Sequence, residues 1–263
     1  MYKSVYEFPG DQQAMPLAQP VLAQTDPAYL GTAEAVMAVA EGVGLPLGED
    51  THERMRRGSV LFYHLDQLLD SAVPSSSSFR ANIGTYNRAI SMFKTGEVSS
   101  LQPESLQALG SFVLSSTASL SHERMGAVES DLLAIGGLLP NKIKAMTANE
   151  YTTHAAAEGR HTGYAVTGFV SDTEAAHPRY PHFRQATGNL MTLGAIADNL
   201  LDLREDYERS YTNVTPTIAN RARLAGASIV AFARGAKAYP RTVWPVARVM
   251  HPAYKAAKRE LEA

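Results

Sequence analysis

The segment from Asp198 to Asp206 has an aspartate at every fourth position of a helical pattern, at Asp198, Asp202 and Asp206. Residues four apart lie on the same face of a helix, so the three carboxylates would stack along one side. Like charges at this spacing destabilise a helix by about 0.2–0.5 kcal/mol per pair. Carboxylate oxygens are the ligands of hard divalent cations, and the stack therefore indicates a site for such a cation.

A second aspartate pair at the same spacing, Asp66 and Asp70, lies far upstream among apolar neighbours such as Leu65 and Leu69. Apolar residues also surround the first segment, whereas a solvated helix face would be polar. If the two pairs face one cavity, they would coordinate Mg²⁺, an ion commonly shared with substrate phosphates. The alternative is that both pairs are surface decoration, as a single pair usually is.

Apolar residues recur at helical spacing over almost the whole chain, and alternating strand patterns are scarce. Residues 1–25, rich in Pro, Gln and Gly, would form a loose arm before one all-α domain over 26–263. Turn signals include Pro74, Pro140 and Pro240, and Ser77 or Ser78 would cap the helix after the serine run. The predicted helices cover residues 27–44, 50–73, 78–94, 103–118, 121–137, 141–170, 179–209, 213–236 and about 245–261.

Composition excludes several classes of protein. The chain has no cysteine, which rules out disulfides and thiolate metal sites, and its net charge of −2 argues against a general nucleic-acid binder. From Arg221 onward there are nine basic residues and two acidic ones. No apolar run approaches the ~20 residues of a membrane span, and no signal peptide is evident. We expect a cytoplasmic protein without a transmembrane segment, with peripheral membrane contact left open and the oligomeric state undetermined.

The two aspartate segments resemble the paired motifs of the class I isoprenoid synthase superfamily. Asp198 to Asp206 is similar to the second motif of squalene and phytoene synthases, [D/N]-x-x-x-D-x-x-E-D. Leu65 to Asp70 looks even more like the first motif of terpene synthases of the tetraprenyl-β-curcumene type, L-D-N-L-x-D. The resemblance implies an isoprenoid synthase fold, with helices around a central cavity, and Mg²⁺ as cofactor.

The resemblance also implies roles for individual residues. Catalysis would depend on the five aspartates of the two motifs, and Glu205 would join them as a metal ligand. Arg209, one turn beyond Glu205, is the preferred partner for a substrate phosphate, with Lys142, Lys144, Arg160 and Arg204 as alternatives. Aromatic faces stabilise cations, so aromatic residues near the motifs are candidates to contact the substrate. These aromatic candidates are Phe62, Tyr63, Tyr151, Tyr164, Phe169 and Tyr211.

Three glycines, Gly159, Gly163 and Gly168, interrupt the helical pattern of residues 150–170. Glycine in a helix interior costs about 0.5–1 kcal/mol relative to alanine, so each needs a reason. One reason is close packing against a neighbouring helix. The other is a break in the helix opposite the metals, which the resemblance slightly favours.

The resemblance therefore implies an enzyme that ionises an allylic prenyl diphosphate, with cyclisation to a terpene as the first expectation. Head-to-head condensation of two prenyl diphosphates is the alternative within the superfamily. The upstream Ser/Phe motif of the squalene branch is not evident, which keeps open a non-catalytic helical binding protein with the same fold. Prenyl chain length and product skeleton stay undetermined.

Overall fold

The structure is a computed structural model of the chain. It describes residues 27–74, 76–99, 101 and 103–247. All regular elements within these residues are helices, which confirms the all-α class. The predicted arm over 1–25 and most of the helix predicted near 245–261 lie outside the described residues. No helix within them is both long enough and apolar enough to cross a bilayer.

The helices follow one another with short connections. The first six are α1 (Pro27–Val43), α2 (Glu49–Asp70), α3 (Ser77–Thr95), α4 (Glu104–Thr117), α5 (His122–Lys144) and α6 (Ala148–Thr167). The next are α7 (Asp172–Ala175), α8 (Tyr180–Leu201), α9 (Leu203–Glu208), α10 (Ile218–Ala238) and α11 over residues 240–247.

Side-chain caps fix where several helices begin. The Ser76 hydroxyl accepts a hydrogen bond from the Phe79 amide at 3.1 Å, so the cap of α3 is Ser76 and the predicted Ser77 or Ser78 is wrong. Thr147 and Glu150 form a reciprocal capping box at the start of α6. Such a cap satisfies amide groups that have no partner within the helix, at about 1 kcal/mol each.

Pro140 lies inside α5, although its type predicted a turn. Proline in a helix interior removes one backbone hydrogen bond and costs about 3 kcal/mol. Leu139, before the proline, and Ile143, after it, both pack against the cluster of Ala72, Phe79 and Tyr211, and Leu139 also packs against the main core. This packing stabilises the helix on both sides of the proline in the sequence. The last turn of α5 therefore continues to Lys144 and brings Lys142 towards the centre of the molecule.

Helices α6 and α8 pack in close contact because glycines face the neighbouring backbone. A Cβ atom on Gly159 would lie 2.3 Å from the Met191 carbonyl oxygen, and one on Gly163 would lie 2.8 Å from the Gly188 Cα. Helix α6 is continuous from Ala148 to Thr167, so the expected break is wrong and close packing explains these glycines. The Thr192 hydroxyl also donates to the Ala156 carbonyl, 3.1 Å away, and this bond ties the two helices together.

A single large core joins α1 to α6 and the start of α8. Its largest fully buried side chains include Met55, Leu61, Ile90, Phe112, Phe169 and Phe183. Phe169 follows α6 and contacts Phe62 and Phe93, with ring centroids 6.0 and 5.8 Å apart. This core fixes α2 against α3 and α6, and so determines what the C-terminal end of α2 faces.

Candidate functional site

A cavity of about 380 Å³ lies between α2, α3, α5, α6 and α8. Helices α2 and α5 contribute most of its apolar surface, and Met191 of α8 adds to it. These apolar lining residues are Phe62, Leu65, Leu69, Leu132, Ile135, Leu139 and Met191. Small-molecule pockets in proteins measure about 300–1,000 Å³, so the cavity has the size of a ligand site.

All five aspartates of the two sequence motifs line this one cavity. Asp66 and Asp70 come from the last two turns of α2. Asp198 comes from the last turn of α8, Asp202 joins α8 to α9, and Asp206 lies on α9. The helix predicted over 179–209 is thus two helices that meet at Asp202. The amides of Asp202 and Asp206 still donate four residues back, at 2.9 and 2.8 Å, so the aspartates keep their helical spacing.

The carboxylates raise one another's proton affinity. Burial by the cavity walls, together with the charge of Asp66, raises the pKa of Asp70 to about 7. Burial, with the charges of Asp202 and Asp66, raises the pKa of Asp198 to about 6. The pKa of Asp202 is also raised, by burial and by Asp206. Raised values of this kind mean that the surrounding protein does not compensate the negative charge, which a bound cation would do.

Lys142 is the basic side chain among the described lining residues. Its Nζ lies 3.0 Å from a carboxylate oxygen of Glu158 on α6, which also lines the cavity. Burial opposes the charged form of Lys142, but Glu158 and then Asp206 and Asp66 raise its pKa above the ordinary value. The lining therefore contains six carboxyl groups and one lysine, a strong excess of acidic groups.

Tyr151 fixes the position of Asp206. The ring is fully buried, and its hydroxyl donates to a carboxylate oxygen of Asp206 at 2.6 Å. Burial, and then the Asp206 charge, raises the pKa of Tyr151, so the phenol keeps its proton and remains a donor. The hydrogen bond from Tyr151, which lies behind Asp206, therefore holds this carboxylate towards the cavity.

The chain after α9 ties the second motif to the end of α2. Arg209 donates to the Asp70 carbonyl, and the Tyr211 hydroxyl lies 2.6 Å from the Ala72 carbonyl oxygen. Between them, Ser210 has a φ of 63°, and the Tyr211 amide returns to the Asp206 carbonyl at 2.7 Å. Carbonyl groups at a helix end need such partners. Arg209 and Tyr211 thus hold the two aspartate helices together, and Tyr211 also lines the cavity.

The other predicted site residues divide between the cavity and the surface. Phe62 lines the cavity. Glu205, with a 66 % exposed side chain, lies outside the lining and pairs with Arg209 at 3.2 Å. Arg160 is exposed. The Cζ atom of Arg184 lies over the Tyr164 ring, 4.3 Å from its centroid. Tyr63 contacts the neighbouring His64 ring edge-on and is also absent from the lining.

Sequence reasoning missed six polar residues of the lining, Thr32, Ser59, Tyr86, Glu158, Thr162 and Asn199. Ser59 lies seven residues before Asp66 on α2, and this two-turn spacing was a signal that could have identified it. Its hydroxyl is buried and has no hydrogen-bond partner among the residues that the structure describes. Glu158 and Tyr86 carry no local signal, because only packing brings α3 and α6 to the cavity.

No three His, Asp or Glu side chains are grouped closely enough in the described part of the chain to hold a metal ion by themselves. The aspartates surround a cavity instead of converging on one point. Mg²⁺ usually keeps several waters and takes only one or two carboxylates together with substrate phosphates. The arrangement fits that mode of binding, in which the ligand's own oxygens complete the coordination.

Comparison with known proteins gives no assignment: no protein family, no curated protein and no solved structure matches this chain.

Proposed function

We propose that the chain is a Mg²⁺-dependent class I isoprenoid synthase that ionises an allylic prenyl diphosphate. One observation carries the proposal: two aspartate motifs, 128 residues apart from Asp70 to Asp198, line the same half-apolar cavity. The apolar region of the cavity suits the prenyl chain. The acidic region, once it has bound cations, suits the diphosphate. An all-α fold with helices around a central cavity is also what the resemblance implies.

The aspartates would hold Mg²⁺ in this proposal, with Asp66 and Asp70 on one side and Asp198, Asp202 and Asp206 on the other. Bound Mg²⁺ neutralises charge on the diphosphate and so makes it a better leaving group. Glu205 and Arg209 act from outside the lining, where their ion pair and the bond from Arg209 to Asp70 hold the motifs in place.

Lys142 is the basic group placed to contact the diphosphate. Its pKa is raised, so the ammonium is charged at neutral pH and can donate to phosphate oxygens. When the carbon–oxygen bond breaks, the electron pair leaves with the diphosphate oxygen and the prenyl chain becomes an allylic cation. The apolar lining excludes water from that cation, and the ring of Phe62 offers an aromatic face to it.

The size of the cavity supports cyclisation over head-to-head condensation. At about 380 Å³, it lies near the lower end of the range for small-molecule sites. Cyclisation needs room for one prenyl chain, whereas condensation must hold two prenyl diphosphates together. We therefore propose a terpene synthase and keep the head-to-head prenyltransferase as the alternative.

A non-catalytic binding protein remains a second candidate, because the described residues contain no preassembled group of metal ligands. Such a protein would bind a diphosphate or a cation in the same cavity without bond cleavage. Turnover distinguishes it from the enzyme.

The test is diphosphate release from geranyl, farnesyl and geranylgeranyl diphosphates with Mg²⁺. We expect Asp202→Ala to lower release by about 10²–10³-fold, since it removes charge stabilisation at the leaving group. Glu208→Ala is the matched control, because Glu208 is exposed and pairs with Arg204 on the outside of α9. Circular dichroism should show unchanged helical content in both variants.

Two results would count against the enzyme. One is full activity of Asp202→Ala. The other is folded wild-type protein that releases no diphosphate from any of the three substrates. Binding of Mg²⁺ and inorganic pyrophosphate without turnover would identify the non-catalytic candidate instead.

A further inference from the structure

We propose that the outer face of α10 and the following α11 bind the surface of an anionic lipid bilayer. This surface, the α10–α11 face, is separate from the cavity, and the proposal does not depend on the proposed enzymatic function. It consists of the exposed apolar and basic side chains of residues 218–247.

Large apolar side chains are exposed along α10, where three of them form a row, and on α11. Ile218 is 89 % exposed, Ile229 68 %, Phe232 52 % and Trp244 70 %. With about 100° of turn per residue, Ile229 lies about 20° around α10 from Ile218. On the same basis Leu224, the buried residue of α10, lies about 120° from Ile218, so Ile218 and Ile229 lie away from the packed side. Phe232 lies about 80° from Leu224, at the edge of the packed side, where it lines a groove with Leu190 and Leu193 of α8. An exposed apolar row of this extent marks an interaction surface.

Basic residues flank the row on both sides. Arg221 lies about 60° from Ile218 on the Phe232 side, and Lys237 lies about 100° away on the other side. Arg223 and Arg234 are exposed further round the helix, about 140° and 160° from Ile218. Arg241 on α11 is exposed as well. No acidic residue occurs anywhere between residues 209 and 247. An apolar row bordered by cations is the pattern of helices that lie in a membrane interface, because the cations contact anionic headgroups while the apolar side chains enter the acyl boundary.

The inner side of α10 is already occupied, which leaves the outer face for a partner. Leu224 is fully buried in a cluster with Tyr151, Leu203 and Val214. The helix is therefore anchored to the body of the protein, and it presents the α10–α11 face as a fixed surface.

The charge argues for a bilayer over a second copy of the chain. In a two-fold symmetric dimer the same face meets itself. Basic residues would then face one another with no acid within the face to pair with them, and such like-charge contacts are unfavourable. An anionic bilayer offers the opposite charge to every one of them.

The experiment is vesicle flotation with phosphatidylcholine vesicles, with and without phosphatidylglycerol. Trp244 is the single tryptophan of the chain and is 70 % exposed on α11, directly after α10, so its fluorescence reports binding without a label. We expect flotation and a blue shift of the emission only with phosphatidylglycerol, both reduced at high salt. Replacing the two cations that border the row, Arg221→Gln with Lys237→Gln, should weaken binding about 10–30-fold. Ile229→Ser with Phe232→Ser should weaken it at least about tenfold.

Matched controls lie on other faces of the molecule. Arg80→Gln with Arg88→Gln removes two exposed cations from α3, and Leu133→Ser removes an exposed leucine from α5. Both should bind vesicles as the wild type does. Absence of binding to phosphatidylglycerol vesicles at low salt overturns the proposal, as does equal weakening by the α3 pair. A dimer in light scattering that Phe232→Ser dissociates, without vesicle binding, would show that the occupant is a second copy.

Discussion

The two ends of α2 differ in how far the surrounding protein compensates their buried charges. In its N-terminal half, Arg54 and Arg57 are buried and surrounded by acceptors. Arg57 pairs with Glu53 at 2.7 Å, donates to the Phe112 carbonyl at 3.0 Å and stacks on the Phe112 ring. Arg54 donates to the Phe169 carbonyl at 2.8 Å. At the C-terminal end, Asp66 and Asp70 line a cavity with four other carboxyl groups.

The difference separates charge that stabilises the fold from charge that is kept for a ligand. Buried ions are stable when the protein supplies enough hydrogen bonds and opposite charge. Arg57 meets that condition within the chain, whereas burial lowers the pKa of Arg54 despite the nearby charges of Glu174 and Asp50. The aspartate end does not, and the raised pKa of Asp70 shows the cost. Because the two ends share one helix, the contrast reflects their surroundings and not a local property of α2.

The largest effect is expected at the arginine end. Arg57→Ala leaves Glu53 and the Phe112 carbonyl without the guanidinium, and removing one partner of a buried pair costs about 3–5 kcal/mol. Urea unfolding measures the loss. Arg80→Ala, at an exposed position of α3, should change stability by less than about 0.5 kcal/mol. A loss below about 1 kcal/mol in Arg57→Ala would remove the contrast between the two ends.

A smaller effect of opposite sign is expected at the aspartate end. Asp70→Asn keeps the shape and removes a charge that its neighbours oppose, so it should raise the unfolding free energy at pH 7.5 by about 0.5–2 kcal/mol. This corresponds to roughly 2–4 °C per kcal/mol in the melting temperature. Unfolding is measured in EDTA, with Glu208→Gln as the exposed control. The same variant should lose Mg²⁺-dependent diphosphate release, and a less stable Asp70→Asn would contradict the comparison.

The pH dependence of this gain is the smallest and most specific effect. The pKa of Asp70 is about 7 in the folded protein against an ordinary 3.8, so between these values the folded state binds more protons than the unfolded state. The contribution of Asp70 to the unfolding free energy therefore falls as pH rises from about 4 to 7. The advantage of Asp70→Asn should vanish below about pH 3, where the carboxyl is protonated in both states, and be complete above pH 7. An advantage that does not change with pH would assign it to packing instead of charge.

Periodicity was sufficient for most of the helices and failed where two principles competed. Pro140 predicted a turn from its local chemistry, but Leu139 before it and Ile143 after it both pack against the cluster of Ala72, Phe79 and Tyr211, and the helix continues. The glycines of α6 allowed either a break or close packing, and only the position of Met191 on α8 decides for packing. In both cases the deciding contact comes from a residue distant in sequence.

The candidate site shows the same limit. Asp66, Asp70, Asp198, Asp202 and Asp206 could be selected from spacing, because four-residue periodicity is a local property of the helix. Lys142 was one of several basic alternatives for the phosphate partner. It is preferred because it lines the cavity, where it pairs with Glu158 of α6 at 3.0 Å. Arg209 was selected as a phosphate partner, whereas the structure has it donate to the end of α2.

The sequence by itself determined an all-α chain, the boundaries of the first four helices to within about three residues and two aspartate rows on helix faces. These follow from hydrophobic period, caps and i,i+4 spacing, all of which act within a few residues. Only the tertiary structure decided that the two rows line one cavity with Lys142, Glu158 and Ser59 beside them. It also decided that the apolar row of α10 stays exposed. The facing of one helix by another depends on the packing of the whole core, which no local pattern encodes.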